Sequence, residues 1–137
     1  MAEQKAVAKF LGNGEAISSY LGQFKQELEQ RLRAIYDGLI GLRDQGLPVD
    51  AIAPEAAIYL TVKLDLVGKG TISGRTLNDQ SEVTAYILDE AKLALVPFYA
   101  FGAEKTSPWY RLSVGTCKKE EIGEMIGKLG EALKKLK

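Results

Sequence analysis

Histidine is absent from the 137 residues, which removes in one step Ser-His and Cys-His nucleophile pairs, imidazole general bases and histidine metal ligands. Chemistry on this chain must use other groups. A single cysteine, Cys117, rules out an internal disulfide and fits a reducing compartment. The 18 Lys and Arg balance 18 Asp and Glu, so no excess positive charge draws the chain to nucleic acid or to an anionic membrane surface. No stretch is long and apolar enough to cross a bilayer, and Met1 to Lys5 do not read as a signal peptide, which makes the cytoplasm the expected compartment. Internal repeats, low-complexity tracts and paired carboxylates with acid-base placement are missing too. What remains is ordinary globular composition, 46% hydrophobic and 26% charged. It suffices for one domain, residues 1–137, with a genuine core.

Hydrophobic spacing predicts a short helix from Glu3 to Leu11, with Val7, Phe10 and Leu11 on one side. Gly12-Asn13-Gly14 ends it, and Asn13 can cap a long helix of about thirty residues, far above the mean for so small a domain. Its apolar positions Ile17, Tyr20, Leu21, Phe24, Leu28, Leu32, Ile35, Leu39 and Leu42 form one stripe, and Gly46 and Pro48 stop it. After Pro54, Ala57 to Leu64 alternates as a strand with Ile58, Leu60, Val62 and Leu64 inward. Gly68, Gly70 and Gly74, with Lys69 and Arg75 between them, fit neither the Rossmann nor the Walker A spacing, so this segment reads as a surface loop rather than a phosphate cradle.

Asp79 and Glu82 form a capping box for a helix whose core side is Val83, Tyr86, Ile87 and Ala91. A strand around Leu95 and Val96 follows, then a turn, then a strand from Trp109. Lys118 to Lys137 is the last helix, with Ile122, Met125, Ile126, Leu129, Leu133 and Leu136 on one side. Its acidic start and basic end suit the macrodipole. Gly123, Gly127 and Gly130 weaken it, by up to about 1 kcal/mol each; close approach of another element and plain exposure are both open explanations. Cys117 precedes this helix, where amides could lower its pKa, or where it is simply a small residue at a strand-to-helix junction. The element order argues for an α+β domain, a small and mostly antiparallel sheet covered by helices, with a long helix near its start.

The strand Trp109-Tyr110-Arg111-Leu112-Ser113-Val114 points Tyr110, Leu112 and Val114 to one face and Trp109, Arg111 and Ser113 to the other. Arg111 is the candidate binding residue. A guanidinium stays charged and offers a planar fork of donors that matches a carboxylate, although a strand arginine facing water is the plain alternative.

The segment Val96-Pro97-Phe98-Tyr99-Ala100-Phe101-Gly102, with the strand Arg111-Leu112-Ser113, resembles the end of the small domain of class I and II aminotransferases. These are pyridoxal-phosphate enzymes of fold type I, in which Val-x-Pro-Gly-x-x-Phe-Gly precedes Arg-Leu-Ser or Arg-Ile-Ser. Phe98 stands where the family has glycine, and Val96 stands one residue nearer the proline. Ala57, Tyr59, Leu60 and Val62 are similar to the family's Gly-Ala-Phe-Tyr-Leu-Phe-Val strand, with Ala56 and Ile58 departing from it. The long helix is similar to the one that links the family's two domains.

The resemblance implies that Arg111 binds the α-carboxylate of an amino-acid substrate. It also implies that pyridoxal 5'-phosphate belongs to a full-length parent, because no segment here resembles the Schiff-base lysine, the aspartate on the pyridine nitrogen or the phosphate cup of the large domain. The expectation is therefore the carboxy-terminal domain of an aminotransferase acting on an amino acid and a 2-oxo acid. It would be inactive alone, with no cofactor of its own, and would be partnered by the large domain and prone to self-association. A free-standing, non-catalytic interaction module with the same fold is the alternative.

Overall fold

The computed structural model describes residues 1–55, 58–115 and 117–137; Ala56 and Ala57, two of the positions compared above, lie outside them. The chain forms two compact units, Met1–Gln30 and Arg31–Lys137.

In the first unit, helix α1 (Ala2–Leu11) buries none of its residues. Asn13 then caps the start of helix α2 (Gly14–Asp44), its Oδ1 accepting from the amide of Ala16 at 3.1 Å. Phe10 meets Tyr20 edge-on with ring centroids 6.4 Å apart, and Tyr20 stacks on Phe24 at 6.3 Å. These side chains, with Val7, Leu11 and Leu21, stay exposed. The apolar stripe predicted along the whole of α2 is thus real, but only its second half, Leu32, Ile35, Leu39 and Leu42, is buried.

The second unit is the α+β part. Strands β1 (Val49–Ile52), β2 (Tyr59–Leu64), β3 (Val96–Pro97) and β4 (Trp109–Ser113) form one antiparallel sheet in the order β1-β2-β4-β3. Helices α3 (Gln80–Ala91) and α4 (Ile122–Lys134) complete it. Leu60, Val62 and Leu64 of β2 and Tyr110 and Leu112 of β4 point into the core with Val83, Ile87, Ile122, Leu129 and Leu133 of the helices. Strand alternation therefore buries one face of the sheet and leaves the other open. Ile58 departs from the expected inward set: it lies before β2 begins and is exposed. Strand β1 has no counterpart in the sequence reading, since four residues between Pro48 and Pro54 carry too little alternation to register. Among the described residues no helix is long and apolar enough to cross a membrane.

The helix glycines resolve into two kinds. A Cβ on Gly38 of α2 would lie 2.7 Å from Cγ1 of Ile126, and one on Gly130 of α4 would lie 2.9 Å from Cδ2 of Leu42. These two glycines let α2 and α4 approach closely, whereas Gly123 and Gly127 face open space. Gly127→Ala is therefore expected to raise stability by up to about 1 kcal/mol through helix propensity. Gly38→Ala should lower it, because three atoms of branched Ile126 must give way, at a cost of about 1–3 kcal/mol that exceeds the same gain. Urea melts of the two variants would show shifts of opposite sign.

Candidate functional site

Arg111 sits at the middle of β4, paired with Thr61 of β2 on one side and Val96 of β3 on the other. A strand hydrogen-bonded along both edges holds its backbone firmly, so the side-chain direction is set by the sheet. Tyr110 and Leu112 point down into the core, which leaves Arg111, Trp109 and Ser113 on the open face, as the alternation predicts. Tyr59 and Thr61 share that face on β2. Tyr59 is paired with Ser113 and is thus the diagonal neighbour of Arg111.

Two aromatic rings flank the guanidinium. Its carbon lies 4.1 Å from the centroid of Tyr59 and 4.3 Å from that of Phe101. Tyr59 reaches it from the β2 side of the strand. Phe101 comes from the β3 side, at the end of a 3-10 turn (Phe98–Phe101) that follows Pro97. Gly102 closes this turn at φ +94°, in the left-handed region that a side chain would strain, and its amide donates to the carbonyl of Tyr99 at 3.2 Å. Among the described residues no carboxylate pairs with Arg111. A half-buried fork of N–H donors on an open sheet face, with no carboxylate of its own among the described residues, can take an external anion.

The strand is anchored from below by groups that the sequence reading passed over. The Tyr110 hydroxyl donates to Oε1 of Gln80, and Nε2 of Gln80 donates to the carbonyl of Thr106 at 3.3 Å. Burial pushes the Tyr110 phenol well above the usual tyrosine range. Gln80 looks like any first-turn glutamine in the sequence. Its value lies in joining the start of α3 to β4 and to the loop that precedes β4, which only the tertiary structure reveals.

The glycine-rich loop holds no phosphate cradle. The amides of Gly68, Gly70 and Gly74 donate to the carbonyls of Leu77, Lys137 and Thr71, and Gly70 accepts in return from Lys137. Its donors are spent on backbone. Arg75 is taken up by Glu82 at 2.8 Å. Glu82 does not close the predicted box on Asp79: its carboxylate accepts from the amide of Asn78 instead, while Asp79 accepts from the amide of Glu82. The Asn78 amide, and then the Arg75 guanidinium, hold the Glu82 carboxyl below its usual range. A cavity of about 460 Å³ lies beside this loop, with Arg75, Glu82, Tyr86, Glu90 and Lys135 in its wall. Its cations are paired with its anions, Lys135 reaching Glu90 at 2.8 Å. Cys117 is also no activated thiol. Burial, helped by Glu121, pushes it up rather than down, which leaves it as a half-buried residue at the junction before α4.

Solved structures with this arrangement define the class of protein. The aspartate aminotransferase from Rhizobium meliloti superposes with a TM-score of 0.71 at 26% identity, covering 96% of this chain and 30% of that one. An aromatic aminotransferase from Pyrococcus horikoshii has the same fold, also at 0.71 with 24% identity, over 96% of this chain and 31% of its own. The chain belongs to the class I and II aminotransferase family, whose sequence model matches residues 2–129. A probable aspartate/prephenate aminotransferase of Rickettsia bellii is 41% identical over 68 residues, 49% of this chain and 16% of the relative. The aspartate aminotransferase of Rhizobium meliloti is 30% identical over 118 residues, 85% of this chain and 27% of that protein. The chain thus spans less than a third of the length of these relatives.

The family's cofactor, pyridoxal phosphate, needs a desolvated lysine for its Schiff base. Gln80 is the only buried polar or charged side chain among the described residues, and every lysine is at least partly exposed. The residues of this chain do not by themselves make a site that fits the cofactor.

Proposed function

We propose that residues 1–137 are the small, carboxy-terminal domain of a pyridoxal-phosphate aminotransferase, which moves an amino group between an amino acid and a 2-oxo acid. Arg111 binds the substrate α-carboxylate. The observation that carries this reading is the placement of Arg111: fixed on a central strand, aimed to the open face, and joined to no carboxylate of its own among the described residues. Two parallel N–H···O bonds from such a fork hold a carboxylate in one orientation and so set the α-carbon of the substrate, a positioning contribution to catalysis.

The large domain of the same enzyme supplies the cofactor and its lysine and faces Arg111 across the substrate. Exposed Val7, Phe10, Leu11, Tyr20, Leu21 and Phe24 of the first unit support an apolar partner for this chain, whether that domain or a second copy. The cytoplasm fits the single free cysteine. Alone, the 137-residue chain is expected to be inactive. Mixing it with pyridoxal phosphate should leave the free-aldehyde absorbance in place and give no transamination. A stoichiometric aldimine band together with turnover of an amino acid would overturn the reading.

A further inference from the structure

We propose that Tyr59 and Phe101 are positioning residues for Arg111: their rings clamp the guanidinium from both sides of β4 and leave only its rim of N–H groups open to a carboxylate. The inference rests on the Arg111 clamp assigned above and adds how that clamp is aimed. Sheet order supplies the geometry. Strand β4 lies between β2 and β3, Tyr59 belongs to β2, and Phe101 follows β3, so the two rings approach from opposite sides with their centroids 4.1 and 4.3 Å from the guanidinium carbon. At those distances each ring's negative face attracts the cation.

A free arginine side chain on a sheet face samples many rotamers, and binding an anion must freeze them. Rings on both sides do that freezing in advance. Neither ring can accept the strong in-line hydrogen bonds that a carboxylate can, so the cation keeps its donors while losing its freedom. The consequence is directional: an anion reaches Arg111 through the slot between Tyr59 and Phe101, in the plane of the guanidinium. A planar carboxylate fits such a slot edge-on, with both oxygens on the fork. Both rings are partly exposed, Tyr59 at 37% and Phe101 at 56%, so neither is explained as core packing. The turn that carries Phe101 is itself fixed by Pro97 and by the left-handed Gly102.

Two measurements test this. In the 15N-labelled chain, the Nε–H proton of Arg111, assigned with Arg111→Lys, is expected upfield of the other arginines because of the ring currents. Phe101→Leu or Tyr59→Leu should move it back, whereas Tyr59→Phe should keep it. A resonance at the ordinary arginine position, or one indifferent to Phe101→Leu, overturns the stack. In a full-length version, Phe101→Leu and Tyr59→Leu are each expected to raise KM for the amino acid about three- to tenfold with kcat within about twofold, and Tyr59→Phe to restore it. If Arg111→Leu impairs the enzyme while these two leave KM unchanged, the positioning role falls and the clamp stands. If Arg111→Leu is itself silent, the clamp falls first.

Discussion

Arg111→Leu, made in a full-length version that carries the large domain, is expected to lower kcat/KM for the amino acid by about a hundredfold to a thousandfold. Each hydrogen bond from a charged donor to a carboxylate contributes about 1.5–3 kcal/mol, so losing the pair removes about 3–6 kcal/mol, and the expected loss in kcat/KM corresponds to the lower part of that range. The substrate carboxylate would also be left against apolar surface from Tyr59 and Phe101, with no other cation pointed at it from the same stretch of β4. Arg111→Lys should fall between the two, since it keeps a positive charge and gives up the planar fork. Folding should be spared in both variants. The side chain lies on the open face of the sheet, outside the core of Leu60, Tyr110 and Leu112, so the loss is limited to its two ring contacts, about 0.5–1 kcal/mol each. Steady-state kinetics with a matched thermal melt separates the two effects; unchanged kcat/KM with an intact melt would remove the clamp role.

The second large effect concerns α2. Leu39 is 1% exposed and Leu21 is 54% exposed on the same helix and the same predicted stripe. Leu39→Ala should cost the 137-residue chain about 2–5 kcal/mol, from lost transfer energy and the cavity left behind. Leu21→Ala should cost less than about 0.5 kcal/mol, because leucine and alanine differ little in helix propensity and little water-excluded contact is lost. A chemical melt of each variant decides the point. Equal losses at both positions would mean that the first half of α2 is packed in the folded chain after all. The same contrast has a functional side: what is exposed in the first unit is surface for an apolar partner to cover, and Leu21→Lys is expected to reduce self-association of the chain without reducing its stability.

Much of the fold was legible from local pattern. Alternation placed Leu60, Val62, Leu64, Tyr110, Leu112 and Val114 on one side of their strands, and all six are buried. Period-3.6 spacing located α2, α3 and α4, and Asp79 caps α3 as its residue type and position require. Where the reading failed, the deciding contact lay outside the spacing that had been read, whether a few residues away or on another strand. Glu82 turned to Asn78 and Arg75 instead of Asp79 because the loop before α3 brings an amide and a guanidinium to it. The Cys117 thiol rises because burial disfavours the thiolate and the charge of Glu121 adds to that. Strand β1 is held by its pairing with β2, and its four residues carry too little signal of their own.

For the candidate site the division is similar. The residue types and their order were sufficient to single out Arg111, to put it on a strand and to choose its face, because period-two geometry and the chemistry of guanidinium are local properties. Sequence alone could not bring Tyr59 and Phe101, 52 and 10 positions away, against that cation, nor hang β4 on Gln80 from beneath. It could not divide one continuous apolar stripe into a buried half and an exposed half either. Those outcomes depend on which strands become neighbours and on how closely helices can approach at Gly38 and Gly130, and such long-range packing exists only once the chain has closed on itself.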